Sequence, residues 1–329
     1  MCTALTIKSS KGNSFFGRNM DLEYYFNQSV MVLPRNYEYE DKVTGNMIKG
    51  KYAIIGMGTV IENHAAMADG MNEKGLACAG LNFSGFAYYE KEPIEGKVNI
   101  APYDFILWVL SNHETVDEVK KEINNIELVD VPLNENNPVP TLHWMIVDKT
   151  GKSIVVEKTK NEFAVYDNNI GVLTNNPTFD WHLINLSEYI GLTEKHPKET
   201  RWCNQELEPL GVGAGTIGIP GDFSSVSRFV RIAFIKSRMP KVEDDLSSLS
   251  QFFHMLDYVA MVKGGVMTAE GKEDFTLYSS CMNQEKGIYY YKTYNNNRIN
   301  AVDINKEELD GREIKVYPYL IKQDINYQN

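Results

Sequence analysis

Apolar positions in the first third of the chain occur in short runs separated by turn residues, and this pattern predicts strands. Lys11-Gly12-Asn13 joins the first two runs, and Asn72-Glu73-Lys74-Gly75 precedes a run of small residues. Short apolar runs bounded by such turns are typical of antiparallel hairpins. The strands predicted here are 3–8, 14–19, 30–33, 52–57 and 76–81.

The periodicity changes near residue 103. Residues 103–110 predict a buried helix, with Pro102 near its first turn. Thr115 and Glu118 have the spacing of a capping box, which predicts a short helix that ends near Asn124. Further helices are predicted at 178–190, with Gly191 as a left-handed stop, and at 225–238 and 246–261. Strand patterns return at 142–147, 153–157, 163–166, 171–174, 276–282, 288–294, 299–304 and 314–317.

This order of elements predicts one domain over residues 1–329 of the α+β class. Strands, helices, strands, helices and strands follow one another, with many hairpin turns and no linker before about residue 320. Such an order favours stacked, mainly antiparallel sheets covered by helices over a βαβ series.

Composition narrows the classes of function. The 43% hydrophobic and 23% charged content is that of an ordinary soluble domain. No apolar run approaches the ~18 residues of a membrane helix, and no signal peptide is evident, so we expect a cytoplasmic protein without a membrane partner. A net charge of −11 argues against nucleic acid. The cysteines at 2, 78, 203 and 281 lack C-x-x-C spacing and the histidines are scattered, so neither metal nor cofactor is expected.

The candidate nucleophile is Cys2, which directly follows Met1. If Met1 is removed, Cys2 carries a thiol and a free α-amine. A thiolate is a nucleophile and an amine is a base, so one residue would supply both parts of a catalyst. In model compounds the α-amine titrates near pH ~7.7–8.0 and a thiol near ~8.5, which makes proton transfer between them nearly balanced.

Two charged residues close the second predicted strand, where a hairpin would bring them beside Cys2. Arg18 would favour the thiolate, and Asp21 would accept a hydrogen bond from the α-amine. The alternative interpretation is a surface ion pair.

Two asparagines and a second arginine complete the candidate set. Asn175 and Asn82 each lie at the end of a predicted strand, and a rigidly held Asn amide can donate to an oxyanion. A plain turn before Pro177 is the alternative for Asn175. Arg228 lies at the start of a predicted helix, where it could support the nucleophile or be solvated. The glycine-rich loop 211–218 lacks the strand and helix of a phosphate loop, so a flexible or interface loop is expected.

Together these residues resemble the choloylglycine hydrolase family, which includes conjugated bile salt hydrolases and penicillin V acylases. The resemblance is closest to the clostridial bile salt hydrolases. The matching motifs span about residues 1–320 in the family's order: Met1-Cys2-Thr3, residues 16–21, 68–75, 173–177 and 220–225 with Arg228, Tyr278-Ser279-Ser280-Cys281, and the strand 287–294.

The resemblance implies an N-terminal nucleophile hydrolase with a four-layer αββα fold that cleaves glycine- or taurine-conjugated bile acids without a cofactor. It implies Cys2 as nucleophile with its own amine as base, Arg18 and Asp21 as their supports, and Arg228 as part of the polar shell. Asn175 and the Asn82 backbone are implied as the oxyanion hole. The groove residues implied are Met20, Phe26, Ile61, Ala68, Asn82, Leu133 and Leu142. Segment 196–223, with Trp202, is implied to assemble a homotetramer.

Several alternatives stay open at this point. Penicillin V or an N-acyl-homoserine lactone is the runner-up substrate, although Asn82 stands where penicillin V acylases tend to carry Tyr. Glutamine amidotransferases also begin with Cys, but usually continue Gly-Ile rather than Thr3-Ala4. A bile-acid-binding scaffold with an inert Cys2 is the non-enzymatic alternative.

Overall fold

The computed structural model describes residues 1–329, with twenty strands and five α-helices. The strands are β1 Cys2–Lys8, β2 Ser14–Leu22, β3 Ser29–Leu33, β4 Glu38–Glu40, β5 Met47–Lys49, β6 Ile54–Ile61, β7 His64–Asn72, β8 Ala77–Asn82, β9 Val98–Ile100, β10 Ile126–Leu128, β11 Leu142–Val147, β12 Ser153–Lys158, β13 Phe163–Asp167, β14 Val172–Leu173, β15 Thr200–Trp202, β16 Gln205–Leu207, β17 Phe275–Asn283, β18 Ile288–Thr293, β19 Asn296–Asp303 and β20 Lys315–Tyr317. The helices are α1 Phe105–Asn112, α2 Val116–Glu122, α3 Phe179–Asn185, α4 Ser225–Arg238 and α5 Asp245–Asp257.

Most strands belong to two large antiparallel sheets. The six-stranded sheet has the order β14-β1-β2-β17-β18-β19, and the eight-stranded sheet has the order β13-β12-β11-β8-β7-β6-β3-β20. The chain begins at β1 inside the first sheet, so residue 2 lies at the end of an interior strand. The sequence-based expectation of stacked antiparallel sheets is therefore confirmed.

Helices cover the outer faces of the two sheets. One core cluster joins the facing sides of the sheets with α4 and α5, and a second joins the far side of the eight-stranded sheet with α1 and α2. The layers are helix, sheet, sheet, helix, which is the predicted αββα arrangement. Because both faces of β1 are covered, six of its seven residues are buried and its sequence does not alternate.

The predicted secondary structure is wrong at three places that matter for the site. Strand β7 escaped prediction because its sequence, HAAMADGMN, has small and polar residues and no β-branched ones. Strand β2 continues to Leu22, so Arg18 lies within the strand rather than at its end. Gly191 is not a left-handed stop, since α3 ends at Asn185 and passes into a short 3₁₀ turn.

The Thr115 cap is confirmed, because its hydroxyl accepts from the Glu118 N–H at 3.2 Å. The Glu118 carboxylate reaches back to the Glu114 N–H rather than to Thr115. No helix of the chain combines the length and apolarity needed to span a bilayer.

Candidate active site

The candidate site is built around the Cys2 thiol at the first residue of β1. Antiparallel pairing of β1 with β2 places Met20 opposite Cys2 and Arg18 opposite Ala4. Arg18 is therefore the diagonal neighbour of Cys2 on one face of the sheet, within reach of a long side chain. The Arg18 guanidinium donates to Cys2 Sγ, and both residues are buried. A buried cation beside a thiol favours its thiolate form.

Main-chain carbonyls of the eight-stranded sheet hold this guanidinium in place. Arg18 Nη1 donates to the Gly80 carbonyl and, at 3.3 Å, to the Ala68 carbonyl. Ala68 is the extra residue of a β-bulge, because Met57 pairs with Asp69 while the next residue, Gly58, pairs with Met67. Bulges of this kind are frequent next to active sites because they redirect single groups.

Burial opposes the charge on Arg18, but the acidic groups around it outweigh that effect. The groups acting on it are Cys2, Tyr278, Asp69 and Asp21. Their combined effect raises the pKa of Arg18 above its usual value, so the guanidinium stays protonated.

Asn175 and Arg228 surround the backbone of Cys2. The Cys2 nitrogen donates to Asn175 Oδ1 at 2.8 Å, and Arg228 Nη2 donates to the same oxygen at 2.7 Å. Arg228 Nη1 also donates to the Cys2 carbonyl and to Thr3 Oγ1. Burial lowers the pKa of Arg228, against the attraction of Asp21 and Cys2. The start of β1 is thus fixed at its nitrogen and at its carbonyl.

The Asn175 amide is rigidly aimed, with both ends bonded. Its Nδ2 donates to the Asn82 carbonyl at 2.7 Å, which leaves its second hydrogen for a further acceptor. Ser225 Oγ accepts from the Asn175 N–H at 2.9 Å, and the Asn175 carbonyl lies 2.9 Å from His182 Nε2. Asn82 is the last residue of β8, whereas β14 ends at Leu173, so Asn175 lies two residues beyond its strand.

The expected bond between Asp21 and the Cys2 amine is not present while Met1 is attached. The Asp21 carboxylate accepts from Thr276 Oγ1 at 2.6 Å, and its other oxygen is buried without a partner. Burial raises the pKa of Asp21, while the N-terminal ammonium and Arg228 lower it. The Met1 ammonium itself lies 3.2 Å from Asp274 Oδ2. The site thus places buried carboxylates near the chain start, where they suit an ammonium.

The predicted groove residues divide among three environments. Met20, Phe26 and Ala68 pack in or against the core cluster that contains Cys2. Leu142 packs against the cluster on the other side of the eight-stranded sheet, although it pairs with Asn82 in the register of β8 and β11. Ile61 and Leu133 belong to a separate small cluster beside a cavity of about 180 Å³. The structure thus brings only half of the six apolar positions into the Cys2 cluster.

Sequence reasoning assigned no role to several residues that the structure places in the site. Asp69 carries a fully buried carboxylate near Arg18, and Tyr278 and Ser280 bind it. Thr3 and Ser225 anchor Arg228 and Asn175. A signal was present, since all five of these residues lie inside the matching motifs.

Comparison with known proteins agrees with this geometry. The profile of the linear amide C–N hydrolases, choloylglycine hydrolase family, matches residues 2–317. The chain is 54% identical to the bile salt hydrolase/transferase of Clostridium perfringens over all of both chains. It is also similar to the crystal structure of the C2A mutant of the conjugated bile acid hydrolase from that organism, with a TM-score of 0.96 and 53% identity over all of both chains. The penicillin V acylase of Agrobacterium tumefaciens shares the fold, with a TM-score of 0.75 at 22% identity over 96% of this chain and 90% of that one.

Proposed function

The chain belongs to the choloylglycine hydrolase family, and from that premise we propose that it hydrolyses the amide bond of glycine- or taurine-conjugated bile acids. The observation that carries the proposal is the Cys2 thiol, buried against Arg18 and flanked by the Asn175 amide. This arrangement supplies a nucleophile, a cation that favours its ionised form and an oxyanion donor at one point. The 54% identity to a bile salt hydrolase over the full length supports the substrate class.

In the proposed first step, Met1 has been removed and the Cys2 sulfur attacks the amide carbonyl carbon. The α-amine of Cys2 takes the thiol proton, and the carbonyl oxygen becomes an oxyanion. Asn175 Nδ2 and the Asn82 backbone N–H stabilise that charge. The amine then passes its proton to the leaving nitrogen, the C–N bond breaks, and glycine or taurine departs with a thioester left on Cys2.

In the second step, water attacks the thioester and the α-amine takes the proton of that water. The C–S bond breaks, the free bile acid leaves, and Cys2 is regenerated. Arg18 stabilises the thiolate and Asp21 the ammonium. Arg228 donates to the Cys2 carbonyl and to Asn175 Oδ1, which fixes these two groups relative to each other. All proton transfers run through groups of this chain, so we propose catalysis without metal or cofactor.

A substrate panel tests the proposal. We expect the purified enzyme to release glycine from glycocholate and taurine from taurocholate, as measured by ninhydrin. We also expect kcat/KM for these cholyl amides to exceed that for penicillin V at least about tenfold, a difference that a better-filled apolar pocket can supply. The reverse preference would establish an acylase of the penicillin V type, and no amine release at all would refute hydrolysis.

Asn175→Ala should lower kcat by about 10²–10³, the scale for loss of one oxyanion donor. Asn175→Asp is the matched variant, because it keeps an acceptor for the Cys2 nitrogen and Arg228 but replaces the donor with a negative charge. We expect Asn175→Asp to lose at least as much activity as Asn175→Ala. A kcat near that of the parent enzyme in the aspartate variant would exclude the donor role.

Acyl transfer is a second candidate activity. The Clostridium perfringens relative is called a hydrolase/transferase. A thioester on Cys2 would react with an amine in place of water, with the same amine base and oxyanion donors.

We propose that the protein forms a homotetramer through the segment 196–223. This segment carries the exposed hairpin β15–β16, with the Trp202 side chain 71% exposed, followed by Leu210 and Val212, which are also exposed. Exposed apolar groups of this size mark protein interfaces. Light scattering should give four times the chain mass of 37.4 kDa, and Trp202→Ser should shift the protein toward smaller species. A monomer at micromolar concentration would contradict the proposal.

We further propose that one domain spans residues 1–329 and that the enzyme works in the cytoplasm, where its four free cysteines stay reduced. Small-molecule bile acids are then its partners, without nucleic acid. A non-catalytic bile-acid-binding protein is the alternative. Intact-mass measurement separates the two, because the proposed mechanism requires a mass that lacks Met1.

A further inference from the structure

A second buried carboxylate lies behind Arg18, and the mechanism above does not use it. Asp69 belongs to β7 in the eight-stranded sheet, and it is completely buried. Its two oxygens accept from Tyr278 and Tyr289 hydroxyls, each at 2.6 Å. Both tyrosines belong to the six-stranded sheet, so the Asp69 side chain crosses the space between the sheets.

Arg18 crosses the same space in the opposite direction. It starts from the six-stranded sheet and donates to the carbonyls of Ala68 and Gly80. Asp69 and Ala79 are paired across β7 and β8, and these two carbonyls belong to the residue before Asp69 and the residue after Ala79. Ser280 links the Asp69 carboxylate to the main chain of Arg18, because its hydroxyl accepts from the Arg18 backbone N–H and donates to Asp69 Oδ1, both at 3.3 Å. The β-bulge at Ala68 presents the Ala68 carbonyl to Arg18 and the neighbouring Asp69 carboxylate to the hydroxyls.

The charges around the thiol nearly cancel. Two buried arginines, Arg18 and Arg228, face two buried aspartates, Asp21 and Asp69. Arg18 has no carboxylate within ion-pair distance, so Asp69 acts on the guanidinium through space. Burying a cation without a nearby counter-charge costs free energy, and the negative charge of Asp69 offsets part of that cost for Arg18.

We propose that Asp69 is a positioning residue that acts through Arg18: its buried negative charge, held by Tyr278, Tyr289 and Ser280, limits how strongly Arg18 favours the Cys2 thiolate. A thiolate that is stabilised too strongly is abundant but attacks slowly, since nucleophilicity falls with proton affinity. The counter-charge keeps Cys2 reactive as well as ionised. The effect on amide turnover rests on the proposed function, whereas the effect on the thiol does not.

The two tyrosine side chains and the Cys78 thiol packed around Arg18 and Asp69 stay neutral, so the negative charge among these groups belongs to Asp69. Tyr278 and Tyr289 have their pKa raised well above the usual value by burial and by Asp69, so both stay neutral donors. The pKa of Cys78 on β8 is raised by burial and by the same carboxylate. Burial raises the pKa of Asp69, but Arg18 and the three hydroxyls oppose that rise and favour its ionised form.

The test measures alkylation of Cys2 by iodoacetamide as a function of pH, which requires no substrate. Mass spectrometry of the N-terminal peptide reports on Cys2 alone and excludes the exposed Cys203. In Asp69→Asn the midpoint of the profile should fall by about one pH unit, the scale of one lost charge across a few ångströms of protein. At a pH above both midpoints, alkylation should be slower than in the parent enzyme.

Two further variants make the result specific. Tyr278→Phe/Tyr289→Phe keeps both rings but removes the two short hydrogen bonds, so the buried carboxyl takes up a proton and the midpoint should again fall. This double variant serves where Asp69→Asn does not fold. Asp104→Asn is the control, because Asp104 is equally buried but pairs with His64 at 2.6 Å. Its midpoint should not move.

An unchanged or raised midpoint in folded Asp69→Asn, or in the double tyrosine variant, overturns the proposal, as does an equal shift in the Asp104→Asn control. Because the readout is alkylation, a shifted midpoint supports the role of Asp69 even if no bile salt is hydrolysed. Conversely, bile salt hydrolysis with an unchanged midpoint upholds the proposed function and removes only this role.

Discussion

The Cys2→Ala variant is expected to hydrolyse no conjugated bile salt, with kcat/KM at least about 10⁴-fold below that of the parent enzyme. Without the sulfur no thioester forms, and the remaining oxyanion donors have no tetrahedral intermediate to stabilise. The Cys2 side chain is 2% exposed and small, so alanine should fit its position with little change in fold. Taurine release from taurocholate measures the loss.

The matched control is Cys203→Ala, which removes an exposed thiol in the turn between β15 and β16. It should retain full activity and remain open to alkylation at Cys2. Cys78 and Cys281 are poor alternative nucleophiles, because burial raises the pKa of both thiols well above the usual value. Activity in Cys2→Ala within tenfold of the parent enzyme would show that another group performs the attack.

The strands of the fold followed from sequence wherever turns bounded apolar runs. The three-residue strands β4, β5, β9, β10, β15 and β16 were not predicted. Strand β7 was also missed, since its pleated conformation depends on pairing with β6 and β8 rather than on its own residues. The end of β2 was misplaced for a related reason. Arg18, Asn19 and Asp21 are polar, so the sequence alone does not indicate a strand here. The strand is stabilised by packing against the layers that cover it.

Single reactive residues of the site could be predicted from the sequence. Contacts between residues that are distant in sequence could not. Cys2 was identified by its position, Arg18, Asn175 and Arg228 were candidates from their places at strand and helix ends, and the family resemblance implied their roles. The bond from Arg228 to the Cys2 carbonyl joins residues 226 apart in sequence, which no local pattern indicates. Asp69 was missed for the same reason, because its partners lie on two strands at the far end of the chain. The apolar groove residues were the weakest part, since packing decides which apolar side chains meet.

The second large effect should come from blocking the amine while leaving the thiol intact. In an extended chain, the Cys2 nitrogen is an amide, whose lone pair is delocalised into the carbonyl and does not accept a proton at neutral pH. Such a chain should turn over conjugated bile salts at least about 10³-fold more slowly, within the range that a general base contributes. The side chain of Met1 is 29% exposed, so an extension has a path to solvent.

A factor Xa site placed directly before Cys2 makes the same polypeptide its own control. Before cleavage, iodoacetamide should still alkylate Cys2, because Arg18 contacts the sulfur while Met1 is attached to Cys2. After cleavage, confirmed by intact mass, taurine release should rise to the level of the parent enzyme. Cleavage would free an ammonium 2.8 Å from Asn175 Oδ1 and close to Asp21, whose Oδ2 is buried without a partner. Equal turnover before and after cleavage would show that the thiol works without its amine, and the base would then have to be sought elsewhere in the site.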